Sequence, residues 1–245
     1  MPDTPIKYKN PPIIEALCEL HYQRSTFSES EQENLRTIWS PAYPNHRFVP
    51  NQAVQIEVSP QGVSVGEQEL GKRLICQSQA GENLAQIAGN FIVVNRLARY
   101  PGWNEFFKQT ILERASEVEN VCGQPMMRRV GLRYINRIAV PQVPFRWHEW
   151  FAIPLPIPPE PRTINEGFQI QLLRRIDDVH RMVIKLAEAK PSPPGITYII
   201  IDLDLIWEGP AIHLNDLSET LERLHSPHRL AFEAYLTDKL RNLFD

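Results

Sequence analysis

The sequence predicts an α+β protein of two similar halves, residues 1–123 and 124–245, each a curved antiparallel sheet with a long C-terminal helix packed on it. The two sheets have the option of running together as one. Two observations lead there. Short segments alternate apolar and polar side chains with period two and are separated by turn residues. The order strand, helix, antiparallel strands, long helix then occurs twice. The closing helices also look alike, Phe106-Phe107-Lys108-Gln109-Thr110-Ile111-Leu112 beside Phe232-Glu233-Ala234-Tyr235-Leu236-Thr237-Asp238. Ordinary antiparallel layering without duplication would give the same order, so element order alone leaves both open.

In chain order, residues 1–12 are a polar, proline-bearing lead-in. Ile13 to Tyr22 reads as a strand, with Glu15, Leu17, Glu19 and His21 on one side and Ala16, Cys18, Leu20 and Tyr22 on the other. Ser28 to Trp39 reads as a helix, with Ser28 as cap, Glu31 completing a capping box, and Pro41 and Pro44 ending it. Val54 to Val58 and Val63 to Val65 flank a Pro60-Gln61-Gly62 turn. Arg73 to Gln79 and Phe91 to Leu97 are two further strands around Gly81-Glu82-Asn83. Pro101-Gly102 opens a helix from Trp103 to Val121, with Phe107, Ile111, Leu112, Ala115 and Val118 as its stripe and Gly123 as its stop.

In the second half, Arg129 to Val140 is a strand and Arg146 to Phe151 a short aromatic piece. Phe168 to Ile176 and Val179 to Ala187 form a hairpin, and Ile196 to Trp207 is a third strand. Two helices close the chain, Asn215 to Leu224 and Pro227 to Phe244. Proline is the outlying residue type, 22 against 11 glycines. Seven prolines fall between Pro141 and Pro161, in a stretch that also carries Trp147, Trp150, Phe151, Ile153 and Leu155. A solvated linker would not be this apolar. The stretch is expected to pack along the body, either as a partner-binding arm through those five side chains or as a loop covering a sheet edge.

The net charge of −3 excludes a strongly basic protein that coats nucleic acid. Three widely spaced cysteines, Cys18, Cys76 and Cys122, make neither a disulfide framework nor a metal site. They predict reduced thiols in a cytoplasmic protein. The N-terminus lacks the pattern of a signal peptide, and no apolar run approaches a membrane span.

Several segments together resemble a known set of proteins. These are Asn10-Pro11-Pro12-Ile13-Ile14-Glu15-Ala16, Tyr100-Pro101-Gly102-Trp103, Gly131-Leu132-Arg133-Tyr134-Ile135-Asn136-Arg137-Ile138, and the ending Phe232 to Phe244. The chain resembles a sporadically distributed, uncharacterised bacterial family of about this length, from near its first residue to its last. The resemblance implies a bacterial cytoplasmic protein with patchy inheritance, as for genes of mobile elements, toxin-antitoxin pairs and phage defence. It implies no activity and no catalytic residue.

The chemistry-bearing residues narrow the choices. Neither a phosphate-binding P-loop nor a dinucleotide-binding glycine pattern is present, nor a nucleophile elbow. His225 and His228 stand three apart with Pro227 between them at a helix start, a workable ligand spacing without further ligands nearby, or a helix junction. Asp202 and Asp204 share one strand face, opposite Ile199, Ile201, Leu203, Leu205 and Trp207, which must be core. Such a pair either holds a divalent cation, Mg²⁺, with a third ligand or pairs with arginines of neighbouring strands. Arg129, Arg133 and Arg137 share a face of their strand, and Arg181 and Lys185 share one in the hairpin. That face is either an anion-binding surface, with Tyr134 or Trp147 to stack a base, or a cross-strand ion-pair ladder.

The expected function is a non-enzymatic binding or regulatory protein of a defence-type locus. It would act without a cofactor, through contact with a protein partner encoded nearby. The alternative is a nucleotide- or RNA-phosphate-binding enzyme or sensor using the arginine stripe with Mg²⁺ on Asp202 and Asp204.

Overall fold

The computed structural model describes residues 8–59, 62–97, 99–141, 146–153 and 167–245, and of residues 51–59, 62–70 and 105 the backbone alone. Among these residues nine strands form one antiparallel sheet. They are β1 (Ile13–Tyr22), β2 (Asn45–Ser59), β3 (Gly62–Gln77), β4 (Asn83–Ala88), β5 (Phe91–Leu97), β6 (Met127–Val140), β7 (Gln169–Arg175), β8 (His180–Ala189) and β9 (Thr197–Ile212). Their order across the sheet is β2-β3-β4-β5-β1-β6-β9-β8-β7. The option of one continuous sheet is the one realised, and β1 and β6 pair at its centre, with Cys18 opposite Leu132.

The helices are α1 (Glu29–Trp39), α2 (Lys108–Cys122), α3 (Trp147–Trp150), α4 (Leu214–Ala234) and α5 (Asp238–Arg241), with a π-helical turn Trp103–Phe107 leading into α2. Helix α1 starts where its cap predicts. The Ser28 hydroxyl accepts from the Glu31 amide, and the Glu31 carboxylate accepts from the Ser28 amide. The helices α1, α2 and α4 pack on one face of the sheet. That face is the alternating apolar set: Ala16, Cys18 and Leu20 of β1, Val130 and Leu132 of β6, and Ile199, Ile201, Leu203 and Leu205 of β9 are all fully buried beneath them. A pleated strand turns every second side chain to the same face, so one face becomes core and the other keeps the charged residues.

Three expectations need correction. The stretch from residue 62 to 77 is one long strand rather than two short ones, because β2 pairs along its length from Val58 opposite Val63 to Asn45 opposite Gln77. A further strand, β4, fills the gap between β3 and β5. Its sequence, Asn-Leu-Ala-Gln-Ile-Ala, has few strongly strand-forming residues, and pairing on both sides supplies what propensity does not. Pro227 does not start a helix. α4 runs through it, and the missing N–H leaves only the Arg223 carbonyl without its helical donor.

Among the described residues, no helix is long and apolar enough to cross a membrane.

Candidate functional site

Four pieces of chain far apart in sequence meet at a cavity of about 720 Å³ on the helical side of the sheet. The lead-in before β1 forms one wall. It is pinned to the chain's end, since the Asn10 amide donates to the Phe244 carbonyl at 2.8 Å and the Tyr8 ring meets Phe244 edge-on at 5.2 Å. The Arg137 amide donates to the Pro12 carbonyl at 2.9 Å, tying the same segment to β6. The turn from Tyr100 to Trp103 forms a second wall. Gly102 there has φ +118°, a conformation that side-chain-bearing residues rarely adopt, and it swings Trp103 inward. Tyr134 and Asn136 of β6 line the cavity from the sheet, and α4 contributes Glu222, His225, Arg229 and Glu233. Spacings of three and four residues put those α4 side chains on one face of the helix.

The rings are arranged closely. His225 lies flat on Trp103, centroids 4.2 Å apart and planes 2° apart. Tyr134 meets His228 at 4.6 Å and Tyr100 at 5.5 Å, and the two tyrosine hydroxyls hydrogen-bond at 2.9 Å. Burial raises both tyrosine pKa values, so both hydroxyls stay protonated. The Asn136 amide nitrogen donates to the Ile201 carbonyl at 3.1 Å.

The two histidines are uncharged at neutral pH. Burial holds His228 down at about 4, and its Nε2 donates to the Leu203 carbonyl at 2.8 Å, which places the proton on that nitrogen. Burial, the neighbouring His228 and the cations Arg229 and Lys108 hold His225 down at about 4 against the pull of Glu222. Since the imidazole of His225 makes no hydrogen bond to another described residue, one donor and one acceptor nitrogen remain for a guest.

The acids of the cavity are already neutralised. Glu222 accepts from Lys108 Nζ at 2.7 Å and from the Trp103 indole at 3.1 Å. Against the opposing effect of burial, these donors hold its carboxyl below the usual range. Glu233 accepts from the Tyr8 hydroxyl at 2.8 Å and from Arg241 Nε at 3.0 Å. The two cations of the lining, Lys9 and Arg229, have no carboxylate partner among the described residues.

The charged face lies on the other side of the sheet, and there the arginines are engaged with their neighbours. Arg133 donates through Nε and Nη2 to the two oxygens of Asp202, at 2.8 and 2.6 Å, in the two-pronged geometry a guanidinium makes with a carboxylate. Arg129 donates to Glu19 at 3.0 Å, Arg137 stacks over Tyr198 at 5.1 Å, and Arg181 lies 3.8 Å from Glu208. Glu19 is held down at about 2, chiefly by His21 and Arg129 against its burial. Asp204 makes no hydrogen bond within the described chain. Burial, with Glu19 nearby, pushes its carboxyl up to about 6. Asp202 and Asp204 do share a face, but Arg133 occupies both oxygens of Asp202. Among the described residues, no group of three or more His, Cys, Asp or Glu side chains is placed to hold a metal ion. Tyr134 points to the helical side, away from Arg133, so it cannot stack a base held by the arginines.

The aromatic stretch packs inward. Trp150 and Phe151 are buried, Trp147 stacks on Phe151 at 4.1 Å, and Lys239 of α5 lies over Trp150 at 4.0 Å. Ile153 is half-buried, and Leu155 lies outside the described residues. As placed, Trp150 and Phe151 are core rather than a display for a partner, and the main-chain bridge from Phe151 to Leu236 ties them to the chain's end.

The chain matches no family model and no curated protein sequence. The cavity was not legible from the sequence as a site. The signals present were the Tyr100-Pro101-Gly102-Trp103 turn and the His225–His228 spacing, and nothing local joins the two.

Proposed function

We propose that this is a non-enzymatic, ligand-binding regulatory protein whose ligand is a small molecule seated in the cavity between the lead-in, the Tyr100–Trp103 turn and α4. The supporting observation is a ring-lined space of about 720 Å³ into which opens the imidazole of His225, stacked on Trp103 and without a hydrogen bond to another described residue. Small-molecule sites are typically clefts of ~300–1,000 Å³ with apolar walls and a few convergent polar groups. The His228 proton is committed to a carbonyl and the two tyrosine hydroxyls to each other, which supports a binding role for these groups.

A thermal-shift screen of metabolites tests the reading. A ligand at a hundredfold excess over its dissociation constant stabilises the native state by ~2.7 kcal/mol. Asn104 lines the cavity and is exposed, so Asn104→Trp plugs the space without disturbing the core. The plugged variant is expected to keep its Tm and lose the shift. A shift that survives Asn104→Trp, or a screen without a shift, removes the proposal.

The protein partner expected from the sequence would read out the bound state. Exposed Leu172, Leu173 and Ile176 on and beside the edge strand β7 support such a contact. We also propose that the two halves arose by duplication. In each, a first strand (β1, β6) is followed by a helix and a meander whose last strand (β5, β9) returns to its side, before a long helix (α2, α4).

A further inference from the structure

We infer that the cavity takes an organic anion with a flat apolar body, its charged group seated between Arg229 and Lys9 and its body among Trp103, Tyr100 and Phe232. This deepens the cavity reading above and rests on it.

The inference comes from which charges are already satisfied. Two carboxylates and two cations line the cavity. Each carboxylate is matched from outside the lining, Glu222 by Lys108 and Glu233 by Arg241. The cations have no such match among the described residues. A cationic guest would meet acids whose charge is already balanced and would be repelled by Lys9 and Arg229. A neutral guest would gain the apolar walls and hydrogen bonds to groups such as His225, but no ionic contact. Only an anion adds a charge-assisted contact, and a guanidinium is the side chain best shaped to donate to a carboxylate or phosphate.

The body of the guest follows from the walls. Pro11, Pro12, Trp103 and Phe232 offer apolar and ring surface. Aromatic rings favour flat guests that lie against their faces or edges. The apolar wall makes the polar end selective as well, because a charge placed there has less water to compete with.

His225 provides an independent readout. The titratable and charged groups around it are Glu222, the neutral His228 and Arg229 on its own helix, Lys108 on α2 and the protonated Tyr134 of β6. Arg229 and Lys108 are among the causes that keep it neutral. An anion beside Arg229 offsets that repulsion and raises the His225 pKa from about 4, so proton uptake by His225 accompanies binding, and affinity for a carboxylate that is still ionised rises as pH falls from about 6.5 toward 5.

Four probes that share a phenyl ring and differ in its polar group make the test: phenyl phosphate, benzoate, benzyl alcohol and benzylamine, titrated into the full chain at millimolar concentration and followed by Trp fluorescence and amide NMR. At least one anion is expected to bind at least tenfold tighter than benzyl alcohol, with benzylamine weakest. The phosphate and carboxylate arms decide which anion is preferred. Arg229→Gln is expected to weaken the anion at least tenfold and leave benzyl alcohol unchanged. His225→Gln is expected to abolish the pH dependence for benzoate. Equal binding of all four probes, or an Arg229→Gln variant that binds the anions normally, overturns the inference. If that binding is still lost in Asn104→Trp, the cavity reading survives. Binding that persists in Asn104→Trp overturns both.

Discussion

Removing Arg133 and removing Asp202 should have unequal consequences. Asp202 is 5% exposed, and both of its oxygens accept from Arg133, whose side chain is 30% exposed. Arg133→Met leaves a buried carboxylate without its donor, a change that costs roughly 3–5 kcal/mol when a buried pair is broken from one side. The carboxylate can escape by taking a proton. At pH 7 that costs about 4 kcal/mol for an aspartic acid of ordinary acidity, which sets the ceiling. Asp202→Asn leaves a guanidinium that still reaches water, so its cost is smaller, about 1–3 kcal/mol.

The assay is urea unfolding of the wild type, both single variants and Arg133→Met/Asp202→Asn between pH 5 and 7.5. If the orphaned carboxyl of Arg133→Met takes up a proton on folding, its native state binds more protons than its unfolded state. Stability then rises as pH falls, and the destabilisation shrinks by up to about 1.4 kcal/mol for each pH unit. The double variant should recover much of the loss. Two single costs below ~1 kcal/mol with no coupling would mean that the pair is worth no more than an exposed ion pair. The face would then have to be reconsidered as a binding surface. A cost in Arg133→Met that does not change with pH would refute the uncompensated-charge argument itself.

Three further predictions follow from named contacts. Asp204 has a folded pKa pushed up to about 6, above its ordinary 3.8, so its protonated form favours the native state and that advantage is lost as pH rises from about 4 to 6. The full difference would be about 3 kcal/mol, and partial solvent access reduces it to about 1–2, so Asp204→Asn should stabilise by that amount at pH 7.5 and be neutral at pH 4 in denaturant titrations. Ser28→Ala removes the acceptor for the Glu31 amide and should cost about 1 kcal/mol, read as a lower urea midpoint with unchanged slope. Trp39 is fully buried and its indole donates to Glu117 at 2.8 Å, so Trp39→Phe should cost about 2–3 kcal/mol through lost packing and a weakened carboxylate shell, measured by calorimetry.

What the sequence determined by itself is local. Alternation assigns each side chain of β1, β6 and β9 to its face, because the pleat has a fixed period of two. It therefore separates Ile199, Ile201 and Leu203 from Asp202 and Asp204 before any partner strand is known. The capping box of α1 was legible for the same reason, since its donors and acceptors lie within four residues. The tertiary structure decided everything that depends on which strand lies beside which. Long-range pairing made β4 a strand despite its weak propensity and joined the halves into one sheet. Packing against the sheet kept α4 helical through Pro227. Register sets Asp204 directly opposite Arg133, and only the side-chain packing could say that the guanidinium turns instead to the diagonal Asp202 and leaves Asp204 without a hydrogen bond in the described chain. The cavity belongs to the same class. Its walls come from residues near 10, 100, 135 and 225, and no pattern within any one of those segments encodes the distance to the others.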